Sequence, residues 1–348
     1  MTFSHQDIKF LFNETNLQYV NRKDDNEMWD FVYSLLTYKP VSYLRSNIEY
    51  QSEYASLNYD EFQDLSCIIM VDSKPIAIWP LSIGFKGKDS FLSSQGASIL
   101  PPIFIPSCPP KTYKKSLSAT FNLLNNLCKK LEINTWTTSS IFKNNQSLEN
   151  WHLLCMSEGA KTRLEFNLFI DLSLTLDEIK SNFRKSYRPL IGVGERLWNS
   201  QIHGQAIESV TWNAFKTLHC DVSGRLTRSE RSWDIQFNNI KKGDAFFVSI
   251  KNDENIMVGG AYFTHSKDEG VYSVAAYDRS LFDKPLGHIA QYKAIEELKK
   301  RNVRWYKVGR RFYKSDCPEP SSKEISISYF KEGFVSLTIP EYIIENQI

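Results

Sequence analysis

Residues 284–300 read KPLGHIAQYKAIEELKK, which predicts a helix whose start is marked by Pro285 and Gly287. Three strand-like runs precede it, DAFFVSIK at 244–251, NIMVGGAYF at 255–263 and GVYSVAAY at 270–277. A fourth, VRWYKVG at 303–309, follows the helix. Strands that alternate with a helix predict an α/β (α+β) unit in which helices cover a mixed sheet.

The N-terminal half carries a weaker copy of this pattern. LSCIIMV at 65–71 and PIAIWPL at 75–81 predict a strand–turn–strand, and a helix at 115–130 and a strand at 133–137 follow. The repeat predicts two domains, a degenerate one at 1–163 and one at 164–348 that holds most of the site. A chance match between two short αβ runs is the alternative interpretation.

Composition narrows the class of protein. A chain of 348 residues suits two domains, and a net charge of +2 gives no electrostatic sign of nucleic-acid binding. The six cysteines have no CxxC spacing and the six histidines are scattered, so we expect free thiols and no metal site. The N-terminus lacks a hydrophobic signal region, and no apolar run has the length of a membrane span. These features predict a cytoplasmic protein.

A basic segment follows a predicted capping box, TLDE at 175–178. If one helix continues from there to Pro189, cations spaced four residues apart lie on one face, and a further lysine lies beside them. Few acidic side chains share that face, so it suits a clamp for a phosphate or carboxylate. A solvated helix face is the alternative. The candidate substrate-binding residues in this segment are Lys180, Arg184, Lys185, Tyr187 and Arg188.

The start of the helix at 284–300 is the second candidate site. A glycine in the first turn lets backbone N–H groups approach an anion, aided by the helix dipole. His288 is a candidate general base because an imidazole titrates near neutral pH, and Gln291 is a candidate substrate contact. The alternative for His288 is a capping or packing role. Asp278 is the other candidate for the proton transfer.

The ends of two predicted strands supply the remaining candidates. Arg310 and Arg311 follow VRWYKVG and point to opposite sides if the strand continues, so one of them is expected to face a cleft. Tyr277 stands at the end of GVYSVAAY and is a substrate-binding candidate for the same reason. No serine or cysteine lies in a nucleophile elbow.

Several stretches, in this order, resemble the Fem-type (FemAB-like) branch of the GNAT acyltransferase superfamily. They cover much of residues 65–348 and are strongest from 166 onward. They are NLFIDLS at 167–173, FRKSYR at 183–188, VGGAYF at 258–263, LGHIAQYKAIE at 286–296, WYKVG at 305–309 and FKEGF at 330–334.

The resemblance implies tandem GNAT-like domains and transfer of an acyl or aminoacyl group to an amine. The implied donor is acyl-CoA, an acyl carrier protein or an aminoacyl-tRNA. The implied acceptor is an amino sugar or nucleotide sugar of a bacterial surface glycan. The family's pyrophosphate loop is degenerate here, because Ile289 stands where its last small residue belongs. The corresponding donor-binding residues are Lys284, Gly287, His288 and Ile289.

The mechanism implied by the resemblance is direct attack of the amine on the donor carbonyl, which backbone N–H groups polarise. It needs no covalent enzyme intermediate, which agrees with the missing nucleophile. The alternative function is a non-catalytic binding protein that keeps a GNAT-like fold and holds an anionic glycan or nucleotide.

Overall fold

The computed structural model describes residues 17–142 and 148–348. The chain divides into an N-terminal unit, residues up to 164 with 341–348, and a C-terminal unit, residues 165–340. Strand β9 (Lys161–Asp171) contains the boundary at 164, and the last strand, β15 (Leu337–Gln347), contains the boundary at 340.

The N-terminal unit has two small sheets in the orders β1-β3-β4-β7 and β2-β5-β6. Its strands are β1 (Gln18–Asn21), β2 (Glu61–Asp64), β3 (Cys67–Val71), β4 (Lys74–Trp79), β5 (Ser82–Lys86), β6 (Asp89–Ser93), β7 (Ile103–Phe104) and β8 (Thr135–Ser139). Its helices are α1 (Asn26–Leu35), α2 (Arg45–Ser56), α3 (Pro110–Lys130) and α4 (Asn150–Ser157).

Helix α3 is the main helix of this unit. A proline in its first turn fits there because the first N–H groups of a helix have no partner in any case. Its buried stripe follows the helical period and packs against the β3–β4 hairpin. The stripe consists of Leu117, Phe121, Leu124 and Cys128. After α3 the chain enters β8, whose residues 135–139 pair antiparallel with 343–347 of β15.

The C-terminal unit contains strands in the order β10-β11-β12-β13-β14-β9. All neighbours are antiparallel except β13 and β14, which are parallel. The new strands are β10 (Asn199–His203), β11 (Ala245–Lys251), β12 (Met257–His265), β13 (Glu269–Tyr277) and β14 (Trp305–Arg311). The helices are α5 (Leu176–Asn182), α6 (Arg188–Leu197), α7 (Ser209–Ser223), α8 (Glu230–Lys242), α9 (Leu286–Lys300) and α10 (Ser322–Glu332).

This sheet is buried on both faces. Along β11, Phe246 and Val248 join a cluster with residues of α9, whereas Ala245 and Phe247 join a second cluster with residues of α7 and α8. The central strand β12 keeps Gly260 because a Cβ there would lie 2.6 Å from the Phe215 ring of α7. Helices on both faces explain why these strands read as apolar runs.

The repeat predicted from the sequence is present. In each unit an antiparallel hairpin (β3–β4, β11–β12) precedes a further strand, a long helix (α3, α9) and a last strand. In the N-terminal unit, Ile99 and Thr138 of β8 form a parallel bridge, as β13 and β14 do in the C-terminal unit. The N-terminal copy contains an extra hairpin, β5–β6, between its second and third strands. The predicted α/β class with tandem GNAT-like domains is confirmed.

Candidate active site

The two parallel strands of the C-terminal unit separate towards their C-terminal ends. They pair only from Glu269 opposite Trp305 to Val271 opposite Lys307. Beyond that point β13 stays with β12 as far as Tyr277, and β14 stays with β9 as far as Arg311. The strands therefore leave a gap between residues 272–277 and 308–311, here called the β13–β14 gap. Ligands of open α/β sheets bind at such C-terminal strand ends.

Lys331 of α10 reaches the base of this gap. Its Nζ lies 5.1 Å from the centre of the Tyr272 ring on β13. It also lies 2.7 Å from the position that a Cβ on Gly309 of β14 would occupy. Gly309 has φ +146°, a conformation that other residues rarely adopt, and its missing side chain makes room for the ammonium group.

The Lys331 ammonium has no acidic partner. Within 17–142 and 148–348, no carboxylate pairs with it and no hydrogen bond satisfies it. Burial lowers the pKa of this amine. A partly desolvated, unpaired cation is costly for the fold, and such groups are concentrated at functional sites. An ammonium in this position suits a ligand with negative or developing negative charge.

The N-terminus of α9 contributes hydrogen-bond donors at the same end of the sheet. Two of the first four N–H groups of this helix donate hydrogen bonds. The Leu286 N–H donates to the Lys284 carbonyl, and the Ile289 N–H donates to the Pro285 carbonyl. Among the described residues, nothing accepts a hydrogen bond from the N–H of Gly287 or His288. Two free N–H groups at the positive end of a helix dipole form a site for an anion or a polarised carbonyl.

Helix α10 connects these two features. The Phe330 ring packs against Gly287, where an added Cβ would lie 2.8 Å from the ring edge. The next residue, Lys331, reaches the β13–β14 gap. Gly287 was predicted to let the backbone approach a ligand closely. In the structure it also lets the Phe330 ring approach the backbone closely.

Phenol groups line the interior behind the gap. The hydroxyls of Tyr272 and Tyr277 are 3.1 Å apart, and Tyr306 Oη donates to Gln291 Oε1 at 2.5 Å. Burial raises the pKa of Tyr272 to about 12 and raises the pKa values of Tyr277 and Tyr306 well above the ordinary value of a tyrosine. These phenols stay protonated at neutral pH. The predicted substrate contacts Tyr277 and Gln291 are therefore held within a buried network, and Gln291 is fully buried.

His288 lies among aromatic rings. Its ring centre is 4.4 Å from that of Tyr187, 5.1 Å from Phe330 and 5.6 Å from Phe334. Its Nε2 is buried and has no hydrogen-bond partner among the described residues. Burial lowers the pKa of His288 to about 4, so the imidazole is neutral at pH 7. The packing alternative explains this geometry directly, whereas a general-base role requires a ligand that reaches Nε2.

The low pKa of His288 has a consequence for stability. An unfolded histidine titrates near about 6.5, so as the pH falls the unfolded state binds this proton before the folded state does. Stability is therefore lost progressively between about pH 6.5 and pH 4. We expect the urea midpoint of His288→Gln to fall less than that of the wild type when the pH is lowered from 7.5 to 5.0.

Part of this pH dependence remains in the variant, because burial also lowers the pKa of His219 to about 4. The matched control is thus His219→Gln, which is expected to reduce the pH dependence as well. An equal loss of midpoint in the wild type and in His288→Gln would contradict the burial of this imidazole.

Two further predictions for this helix start need correction. Ile289, predicted to hold the donor, is fully buried, and its side chain packs against Gly194 of α6. Its N–H is bonded to Pro285, so it has nothing left for a ligand. Asp278, the alternative base, accepts hydrogen bonds from the N–H and hydroxyl of Ser280 and thereby caps a turn. Lys284 is exposed, 5.9 Å from the Trp198 ring.

The predicted continuous basic helix is wrong. Thr175 and Glu178 form the expected capping box, but α5 ends at Asn182 because Phe183 turns into the core as an extended residue. Pro189 does not end this helix and instead lies in the first turn of α6, where proline is favoured. Lys180, Arg184 and Arg188 therefore do not share one helical face.

The three cations have separate surroundings. Lys180 lies 5.8 Å from the Tyr292 ring. Arg184 donates to the Tyr187 hydroxyl at 3.1 Å. Arg188 donates to the carbonyls of Phe183 at 3.1 Å and Ser181 at 2.5 Å, which are acceptors left free at the end of α5. Arg188 is thus a helix-capping residue.

Arg188→Ala is expected to lower the free energy of unfolding by about 1–2 kcal/mol, because two carbonyl groups lose a charged donor. Lys185→Ala is the control, since this side chain is exposed and its removal is expected to change stability by less than about 0.5 kcal/mol. Urea unfolding measures both. If Arg188→Ala is as stable as the control, the capping contacts contribute nothing.

The two arginines at the end of β14 are both held in ion pairs. Arg310 pairs with Glu165 at 2.8 Å and with Asp316 at 3.6 Å. Arg311 Nε pairs with Glu332 of α10 at 3.1 Å. Both guanidinium groups thus have acidic partners, and their predicted substrate contacts stay predictions.

No known protein family and no curated protein sequence matches the chain. Solved structures do. A crystal structure of FemX has a TM-score of 0.66 at 12% identity and covers 95% of this chain and 97% of that chain. A C-terminal domain of a lysylphosphatidylglycerol synthetase from Agrobacterium fabrum has a TM-score of 0.59 at 10% identity and covers 92% of this chain and 92% of that chain. A tandem GNAT protein from the clavulanic acid biosynthesis pathway has a TM-score of 0.52 at 11% identity and covers 95% of this chain and 98% of that chain.

The chain has the Fem-type tandem GNAT fold. The predicted resemblance is thus confirmed at the level of the fold, and identities near one residue in ten carry nothing finer. Across residues 17–142 and 148–348, no three His, Cys, Asp or Glu side chains are grouped to hold a metal ion. In the same part of the chain, no helix combines the length and the apolar character needed to cross a membrane.

The residues that the sequence analysis missed are Lys331, Tyr272 and Gly309. The stretch FKEGF contained Lys331, but only its resemblance was noted. A signal was present: Lys331 stands between Phe330 and the fully buried Phe334, so the end of α10 lies beside the core. The surroundings of the Lys331 ammonium depend on the separation of β13 from β14, which local sequence does not encode.

Proposed function

We propose that this protein is an N-acyltransferase that moves an acyl or aminoacyl group directly from an activated donor to an amine. The observation that carries the proposal is the β13–β14 gap with the unpaired Lys331 ammonium at its base, together with the two free N–H groups at the start of α9, which α10 contacts through Phe330. Each of these groups is a donor without an acceptor, and each stabilises negative charge.

Acyl transfer needs that kind of stabilisation. The amine lone pair attacks the carbonyl carbon, and negative charge develops on the carbonyl oxygen before the bond to the donor's leaving group breaks. The N–H groups of Gly287 and His288 and the Lys331 ammonium supply fixed positive ends for this charge. The proton released by the attacking amine goes to the leaving alkoxide or thiolate, so that the transfer is balanced without a covalent enzyme intermediate.

The donor is an acyl-CoA, an acyl carrier protein thioester or an aminoacyl-tRNA. The acceptor is an amino sugar, or a nucleotide-linked amino sugar, that belongs to a bacterial cell-envelope precursor in the cytoplasm. The fold supports this choice, because FemX and lysylphosphatidylglycerol synthetase are among the structures that share it.

The test is a transfer assay with each donor class in turn and with glucosamine and a UDP-linked amino sugar as acceptors. Mass spectrometry of the acceptor detects the added acyl mass. We expect an amide product that requires protein, donor and acceptor together. Intact acceptors with every donor class would contradict the proposal.

A non-catalytic binding protein is the second candidate, favoured by one observation: the predicted base His288 has a pKa of about 4 and Asp278 is occupied in a turn. Such a protein would bind an anionic glycan or nucleotide at the same donors. A thermal shift with a nucleotide sugar but no amide product from any donor would identify it.

A further inference from the structure

One aromatic ring of α10 is held rigidly in an exposed position. The Tyr329 side chain is 52% exposed although it lies next to the packed Phe330. The Arg184 guanidinium carbon lies 4.0 Å from the centre of this ring, which is stacking distance, and its Nη2 donates to the Tyr329 carbonyl at 3.1 Å. The ring is therefore fixed on one side while half of its surface stays open.

Arg184 is itself anchored from several directions. Its backbone N–H donates to the Gly333 carbonyl at 2.7 Å, and its Nη1 donates to the Tyr187 hydroxyl at 3.1 Å. Among the described residues no carboxylate pairs with it, so its charge is not neutralised locally. A second guanidinium, that of Arg311, lies over the Tyr329 ring with its carbon 5.6 Å from the ring centre, and its charge is paired with Glu332.

The Tyr329 ring and the Arg184 side chain that contacts it belong to the candidate active site. Tyr187, which Arg184 holds, contacts the His288 ring at 4.4 Å between centres, and His288 carries one of the two free N–H groups. Tyr329 is two residues from Lys331 on α10. A ligand with a reactive carbonyl at the N–H groups thus has Tyr329 within the reach of a nucleotide.

We propose that Tyr329, backed by Arg184, is the stacking platform for the nucleobase of the acyl donor. This inference rests on the proposed acyltransferase function and specifies how the donor is held. An exposed ring offers a flat surface to any purine, and the uncompensated guanidinium beside it offers a partner for a phosphate. Two of the three proposed donor classes, acyl-CoA and aminoacyl-tRNA, contain an adenosine, and the stack serves that shared group; it selects them over a carrier-protein thioester, which contains none.

A polyanion held by charge alone fits this site less well. Arg184 is the single unpaired cation in direct contact with Tyr329 within the described chain, and Arg310 and Arg311 nearby are neutralised by carboxylates. A surface for phosphates alone would present several free cations and no fixed ring. The exposed tyrosine indicates recognition of a planar group.

The test compares Tyr329→Ala and Tyr329→Phe with the wild type, using the full chain. Binding of CoA and of a single-stranded RNA that ends in CCA is measured by calorimetry, and the KM for the donor is measured in the transfer assay. Ile327→Ala, which removes another exposed side chain of α10 (45% exposed), is the matched control.

We expect Tyr329→Ala to weaken binding of one of the two probes by roughly 5- to 150-fold, as the loss of one base–aromatic stack predicts, and to raise KM more than it lowers kcat. Tyr329→Phe and Ile327→Ala are expected to stay within about twofold, because stacking needs the ring and not the hydroxyl. Which probe responds identifies the source of the adenosine.

Unchanged affinity and KM in Tyr329→Ala, in a protein that transfers acyl groups, would overturn the stacking proposal and leave the proposed function intact. A wild type that transfers acyl groups but binds neither probe would overturn nucleobase recognition in the same way. No transfer by the wild type with any donor would overturn the proposed function itself.

Discussion

Lys331→Met is expected to lower the rate of acyl transfer by about 10²- to 10³-fold, the usual effect of removing one group that stabilises an oxyanion. The same variant is expected to be more stable than the wild type. Methionine fills the space beside Tyr272 without bringing a charge, and the ammonium that it replaces has no carboxylate and no hydrogen-bond partner among the described residues.

The measurements are the steady-state transfer rate and the thermal midpoint of the same preparations. Lys323→Met is the matched control, because Lys323 is an exposed lysine of the same helix α10 and is expected to leave both quantities nearly unchanged. A stability gain without loss of rate would make Lys331 a structural defect with no role in the reaction. A stability loss would mean that its ammonium has a stabilising partner after all.

Gly333→Ala is expected to have the second largest effect. An added Cβ would lie 2.2 Å from one atom of the Tyr187 ring and 2.8 Å from two others, so the ring has to move. Tyr187 contacts His288 and holds Arg184, so its displacement changes the entrance to the candidate active site. We expect a loss of about 1–3 kcal/mol in the free energy of unfolding, as for overpacked cores, and a fall in transfer rate.

Gly192→Ala is the matched control for this substitution. Gly192 lies inside α6, and the nearest atom to its added Cβ is Arg196 Nη1 at 3.6 Å, the mobile end of a side chain. Alanine is expected to leave stability unchanged or to raise it by up to about 1 kcal/mol, because it favours the helix. If Gly333→Ala has the same unfolding midpoint as Gly192→Ala, the Tyr187 ring can move without a loss of stability.

The elements that local sequence specifies were predicted well. The capping box at Thr175 and Glu178 forms as expected, since it depends on two residues three positions apart. The α9 start at Pro285 and Leu286 likewise follows from local signals. The order of hairpin, strand, helix and strand repeats in both units because each step is fixed by apolar periodicity and turn residues.

The predictions that failed depended on tertiary contacts. Spacing alone placed Arg184 and Arg188 on one helix, but burial of Phe183 ended α5 at Asn182 and put the two arginines in separate structures. The ion pairs of Arg310 and Arg311 were likewise not predicted, because their acidic partners come from other segments of the chain. The position of Lys331 follows from the separation of β13 and β14, which no single segment determines.

The most direct test of donor binding at the β13–β14 gap is the response of two backbone amides. In ¹⁵N-labelled, deuterated protein, the N–H resonances of Gly287 and His288 are followed while the donor that supports transfer is added. Because both groups lack an acceptor in the free protein, we expect both resonances to shift downfield with the same apparent Kd. If the protein transfers acyl groups but saturating donor leaves both resonances unchanged, the donor does not bind at this site.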